Sequence, residues 1–342
     1  MIRRVASSLC LLFVLATVPA SAYDIGSHEQ LTREAVALIG RCARHDPRLW
    51  DPSIYLNTLI DLNVGQDDVL RKARLWHFPF VARGTCSNPC SEECYSRKWC
   101  PYGLWFICDM PVFRSFDPWV NHLIRRASFA REPAEVYRAA GALLHYVQDL
   151  AVPAHALPVF HPVPICHGDE LDGYGVTVTH CNLQLEQPGD VCERLDDAKD
   201  LTSLLLAVRA TTEQSVAKSF PLRSPQGEKR SWSAFWRSSS DPEAPEFKQY
   251  GCKAFGQSRV ECANEAFEVD PKTYAQFANT RASEAILASA QLIVYLQKQV
   301  AADAVPGGED VEAAVDRWLP SLDRLKRIAR DHPEACRPLR KP

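Results

Sequence analysis

Residues 133–155 read PAEVYRAAGALLHYVQDLAVPAH, and the fold class turns on this stretch. Pro133 suits the first turn of a helix, and Pro153 stops that helix after about Leu150. Ala139, Ala140, Leu143, Leu144 and Val147 give it an apolar surface. His145 and Asp149 are four residues apart and project from one face of the helix. His155 lies just beyond the stop and can swing back towards them. Imidazole and carboxylate together suit zinc, and a carboxylate can bridge two ions. An isolated His/Asp pair at this spacing is more often a surface ion pair. On a helix that is otherwise apolar, two buried polar side chains need partners, and a metal supplies them.

The surrounding sequence reads as mostly helical. Leu31, Ala35, Leu38 and Ile39 recur at helical spacing from Ser27 to about Ile39, with Ser27 and Gln30 placed to form a capping box. A second helix runs from Ser53 to about Leu62 and ends at Gly65. Longer helical stretches cover Asp196 to Phe220 and Thr280 to Ala302, the latter carrying Ile286, Leu287, Ala290, Ile293, Val294 and Leu296. Pro306-Gly307-Gly308 breaks the chain before a last helix from about Asp310 to Ala329. Gly175 to Thr179 is the best strand candidate, and the polar Pro/Ser/Gly-rich region from Ser224 to Asp270 reads as long loops. Together these predict an all-α protein.

At the start of the chain, Arg3 and Arg4 precede an apolar run from Val5 to Val18, then Pro19-Ala20-Ser21-Ala22. A basic start, a short apolar core and an A-x-A end describe a secretory signal peptide over residues 1–22, cleaved after Ala22. A secreted or periplasmic location follows. Cleavage removes Cys10 and leaves twelve of the thirteen cysteines, an even number that reads as disulfides in an exported chain. A thiolate zinc site within Cys86 to Cys108 is a weaker reading, because the cluster has no paired C-x-x-C. The formal net charge of −3, without a basic run, gives no support to tight binding of duplex nucleic acid.

The stretch His145-Tyr146-x-x-Asp149-x-x-x-Pro153-x-His155 resembles the signature of the zinc-dependent phospholipase C and S1/P1 nuclease superfamily. Gln148 stands where the stricter phospholipase pattern has Gly or Thr; Ala151 and Pro158 also depart from it, while the ligand positions are intact. In that family the mature chain begins with a tryptophan whose α-amino group and carbonyl bind zinc, and in the nuclease branch a histidine follows five residues later. Here Tyr23 would be the first residue after cleavage, and His28 lies five further on. Gly65-Gln66-Asp67-Asp68, followed by Trp76-His77-Phe78, resembles the family's acidic residue and its histidine in an H-F pair. Asp68 is the preferred ligand, Asp67 a close rival and Asp61 a more distant one. For the family's last histidine and carboxylate, His167 and Asp172 are chosen, with Glu170 as the alternative carboxylate; His180 could replace His167, with Gln184 then in the carboxylate position.

Outside the resemblance, the cysteines mark a disulfide-rich insert and residues 304–342 read as a helical C-terminal tail. The resemblance implies a mainly helical phospholipase C/P1 nuclease-like fold, with residues 23–303 as a zinc-dependent hydrolase domain. It also implies about three zinc ions on Tyr23, His28, Asp68, His77, His145, Asp149, His155, His167 and Asp172. The implied activity is phosphodiester hydrolysis, with Asp68 orienting or deprotonating the attacking water. The aromatic segment from Trp99 to Trp119 leaves three readings: a cap on the core, a lipid-interface loop, or a surface that stacks nucleobases. With the acidic net charge, the first expectation is a phospholipase C-like enzyme acting on phospholipid or a membrane surface. The alternatives are a single-strand nuclease and a secreted metal-binding protein without turnover. No protein partner is inferred.

Overall fold

Helix α1 (Ile25–Ala43) begins at a cap that the sequence reading places elsewhere. The capping side chain is Asp24, whose Oδ1 accepts from the backbone N–H of Ser27 at 2.6 Å, while Gln30 turns along the helix to Glu34. The proposed Ser27/Gln30 box is thus replaced by an aspartate cap. The expected apolar stripe is buried, with Leu31, Ala35, Leu38 and Ile39 fully enclosed. The computed structural model describes residues 24–45, 49, 51–67, 98–99, 110–111, 118–157, 159–160, 170–171, 173–187, 190–222, 228–238, 248–250, 255–256, 260–262 and 265–299. The signal segment, the cysteine-rich stretch around Cys86 to Cys94 and the helix expected at 310–329 lie outside these residues.

A 3₁₀ turn over Pro52–Tyr55 leads into α2 (Leu56–Val64), and the chain then tightens into a second 3₁₀ turn over Gly65–Asp67. Gly65 caps the C-terminus of α2, as the sequence predicts, and opens the 3₁₀ turn that follows. Next among the helices come α3 (Pro118–Phe129), α4 (Pro133–Ala151) and the short α5 (Pro153–Ala156). They are followed by α6 (Val191–Arg194), α7 (Leu201–Ala217) and α8 (Pro271–Gln297). Helix dominates the described residues, as the sequence predicts.

Helix α4 is the centre of the molecule. It packs against α1, α2, α3, α7 and α8, and every residue from Val136 to Ala151 is buried. A helix enclosed on all sides can carry polar side chains only where other elements meet their needs. Its approach to α2 is tight. A Cβ built on Gly141 would sit 3.0 Å from the Leu59 carbonyl oxygen and 3.0 Å from the Leu62 side chain, so glycine sets the approach of the two helices. Gly141→Val is expected to push α2 away and to cost about 1–3 kcal/mol of stability. Denaturant unfolding measures this, and a wild-type midpoint would mean that α2 yields without strain.

Three expectations for the second half are corrected. The helix expected from Asp196 to Phe220 begins at Leu201, capped by Asp200, and Ser219–Pro221 form strand β4 instead. Helix α8 begins at Pro271 behind an Asp270 cap rather than near Thr280, and Tyr274, Phe277 and Ala278 extend its buried stripe. Gly175–Thr179 has no strand pairing.

The region read as loops contains short ladders. Earlier strands are β1 (Lys98–Trp99), β2 (Met110–Pro111) and β3 (Val159–Phe160). Beyond β4 lie β5 (Lys229–Ser231), β6 (Trp236–Ser238), β7 (Lys248–Tyr250), β8 (Val260–Cys262) and β9 (Glu265–Phe267). Strand β7 pairs parallel with β3 and antiparallel with β6. An aromatic cluster organises this region: Trp232 stacks on Phe220 and Phe277, and Phe255 stacks on Trp236. The aromatic side chains hold an otherwise polar stretch against α8, so its composition misleads.

A disulfide between Cys42 and Cys192 joins the end of α1 to α6, which fits the oxidised framework. Cys181 is exposed and forms no disulfide, so the expectation of complete pairing does not extend to it. Among the described residues, no helix is long and apolar enough to cross a membrane.

Candidate metal centre

Four elements aim side chains at one buried point. The first turn of α1 supplies His28, the 3₁₀ turn after α2 supplies Asp67, α4 supplies His145 and Asp149, and α5 supplies His155. All five are buried, and Asp67 has the greatest exposure at 8%. The His28 and His145 rings stack with centroids 4.4 Å apart, and the Nε2 atoms of both face Asp67 and Asp149. His28 Nε2 lies 3.5 Å from Asp149 Oδ1 and 3.8 Å from Asp67 Oδ2. His145 Nε2 lies 3.4 Å from Asp149 Oδ2 and 3.5 Å from Asp67 Oδ1. Behind them, His155 Nδ1 is 3.7 Å from Asp149 Oδ2.

These separations exceed the range of a good N–H···O hydrogen bond. Two ligands about 2.0–2.1 Å from one tetrahedral ion lie about 3.3 Å apart, close to the shorter distances here. The donor set, imidazole nitrogen and carboxylate oxygen, is one that divalent transition metals favour. His28, Asp67 and His145 together offer ligand atoms all within 4.8 Å of one another and could hold a metal ion.

The surroundings fix this geometry. Gln66 is the key to Asp67: its Oε1 accepts from Trp119 Nε1 and from Tyr146 Oη, each at 3.1 Å, and its Nε2 donates to the Leu62 carbonyl. The 3₁₀ turn is thereby tied to α3 and α4, and the next residue, Asp67, faces the histidines. Trp119 is fully buried, so this end of the aromatic segment belongs to the core. One turn further along α4, Thr212 Oγ1 donates to the Leu150 carbonyl at 2.8 Å and accepts from Arg281 Nη1 at 3.2 Å. Arg281 is held by Glu186 through a 3.0 Å ion pair. Burial alone would raise the Glu186 pKa, but Lys218, Ser215 and Arg281 outweigh it and hold the carboxyl below its usual value.

The structure brings together His28, His145, Asp149 and His155 of the sequence-derived set. It adds Asp67, the close rival of Asp68. Tyr23, Asp68, His77, His167 and Asp172 lie outside the described residues. The more distant alternatives have other surroundings. Asp61 is exposed on α2, where desolvation and then the Glu29 charge raise its pKa. Glu170 covers Gly256, and its backbone N–H donates to the Phe255 carbonyl at 3.0 Å. His180 pairs with Glu34 at 2.8 Å, and the Gln184 backbone binds Ser283. The polar residues beneath the site, Thr32, Asn63, Gln66, Gln148 and Ser289, had no role assigned from sequence, although Gln66 stands beside Asp67 in the acidic motif and Gln148 marks a departure from the phospholipase pattern. Their only local signal is polarity within helices that are otherwise apolar. No protein-family model, curated protein or solved structure matches the chain.

Proposed function

We propose that the protein is a secreted zinc-dependent phosphodiesterase of phospholipase C type. The observation that carries the reading is the convergence of His28, Asp67, His145, Asp149 and His155 from four separate elements on one buried point. Three of these, His145, Asp149 and His155, belong to the signature that resembles the phospholipase C and S1/P1 nuclease superfamily. We assign the same superfamily's helical fold to residues 23–303.

Zinc bound here would supply an acidified water and positive charge for the phosphoryl oxygens. The protein's own groups have distinct duties. His28 and His145 present ring nitrogens from two stacked planes, and Asp149 sits between them and His155. Asp67 is the least enclosed carboxylate of the group and sits at the end of a short turn. We assign it the orientation and deprotonation of the attacking water, the role expected of Asp68 from sequence. No Ser or Cys nucleophile is required. The acidic net charge and the lack of a basic run favour a phospholipid substrate over a polyanion.

The test presents zinc-replete mature protein with phosphatidylcholine vesicles and single-stranded DNA in parallel. Release of phosphorylated head group, abolished by a chelator and restored by zinc, is the expected result. Cleavage of DNA alone would replace the substrate class with nucleic acid. Turnover of neither by folded, zinc-loaded protein would overturn the enzyme reading and leave a metal-binding protein.

A further inference from the structure

We infer that Gln148 is a positioning residue that fixes His28 as the Nδ1–H tautomer, leaving Nε2 as the metal-facing nitrogen. The inference rests on the metal reading of the site and is independent of the substrate.

The argument begins at Thr32. Its hydroxyl has one proton, and Thr32 Oγ1 lies 2.9 Å from the His28 carbonyl oxygen one helical turn earlier. A carbonyl only accepts, so that proton is committed. Other groups that approach the Thr32 oxygen must therefore donate to it. These are Asn63 Nδ2 at 2.8 Å and Gln148 Nε2 at 3.2 Å. Gln148 Nε2 also donates to Ser289 Oγ at 3.3 Å. With the amide nitrogen so placed, the other end of the Gln148 side chain is its oxygen. Gln148 Oε1 accepts from Asn63 Nδ2 at 2.9 Å, and it lies 2.7 Å from His28 Nδ1. An amide oxygen cannot donate, so His28 Nδ1 must carry a proton.

The consequence is carried across the ring. In a neutral imidazole with Nδ1 protonated, Nε2 holds the lone pair. That atom faces Asp67 and Asp149, whose oxygens are also acceptors. A lone pair set against carboxylates is repelled by them, and a divalent ion held between them would relieve that repulsion. Gln148 thus does for His28 what an outer carboxylate or carbonyl does for many metal-bound histidines: it selects the tautomer and fixes the ring plane. A Gly or Thr at this position, as in the stricter phospholipase pattern, could not span the same distance to both α1 and α8. The residue that departs from the pattern is the one that organises the pocket in this chain.

Three variants test this: Gln148→Met, which keeps the length and removes the acceptor; Gln148→Glu, which restores an acceptor; and Ser289→Ala, which alters only the amide side of Gln148. Zinc affinity is measured by competition with a chelator. The tautomer of His28 is read in metal-free protein by long-range ¹H–¹⁵N correlation, with His28→Gln identifying the signal. Gln148→Met is expected to weaken zinc binding about 10–100-fold and to release the Nδ1–H tautomer. Gln148→Glu restores both, and Ser289→Ala changes zinc affinity less than Gln148→Met. A folded Gln148→Met protein with unchanged affinity and tautomer overturns the inference. Should that variant not fold, a wild-type His28 protonated at Nε2 overturns it equally. Wild-type protein that binds no zinc overturns the metal reading instead, while the tautomer experiment still decides the role of Gln148.

Discussion

Asp67→Asn protein is expected to fold and to lose zinc affinity by at least roughly 100-fold, beyond the usual effect of removing an outer-shell partner. The substitution preserves size but removes the charge whose two oxygens face His145 and His28. Hydrolysis should fall by at least the same factor, because Asp67 also carries the proposed role on water. The informative comparison is Asp68→Asn, made in parallel and assayed by chelator competition and turnover. A near-normal Asp67→Asn protein beside a metal-free Asp68→Asn protein would transfer the role to the neighbouring aspartate.

The second large effect concerns the clasp between Cys42 and Cys192. Their sequence separation of 150 residues makes the constraint on the unfolded chain severe, at about 5 kcal/mol from loop entropy alone. Cys42→Ala/Cys192→Ala is expected to lower the unfolding free energy by about 2–5 kcal/mol in a non-reducing denaturant titration. Alanine is the appropriate replacement because Cys42 is fully buried and a serine hydroxyl there would require a new partner. The folded double variant should keep near-normal zinc affinity, since the clasp holds the opposite end of α1 from His28. An unchanged unfolding free energy would show that the bond adds no constraint the unfolded chain lacks.

The central helix and its candidate ligands were legible because their signals are local. Pro133 and Pro153 bracket α4, and the spacing of His145 and Asp149 places both on one face wherever the helix packs. The buried stripe of α1 followed for the same reason. The aspartate after α2 was harder, because Asp67 is aimed by a 3₁₀ turn pinned through Gln66 to Trp119 and Tyr146, far along the chain. No local periodicity reports such a restraint. Helix α8 hides its start behind Lys272, Gln276, Asn279 and Thr280, which dilute the apolar pattern, although the Asp270-Pro271 pair is a good N-terminal signal. The short strands near Trp232 and Phe255 depend on ring packing across the fold, so a reading based on composition finds loops there. Gln148 was visible only as a mismatch to a motif; its meaning required the positions of Thr32, Asn63 and Ser289.

The Gln148 network also bears on the order in which a newly made chain can mature. Its members meet across long stretches of sequence: Gln148 reaches back 120 residues to His28 and forward 141 residues to Ser289. Contacts of such separation form late, because the intervening chain must first be brought together. Until α8 has emerged and docked, the network lacks its Ser289 partner, and a nascent chain that already carries all five side chains of the candidate site still lacks the finished cradle. On the proposed metal reading, the pocket that would take an ion reaches its final geometry only when α8, the last helix among the described residues, has docked.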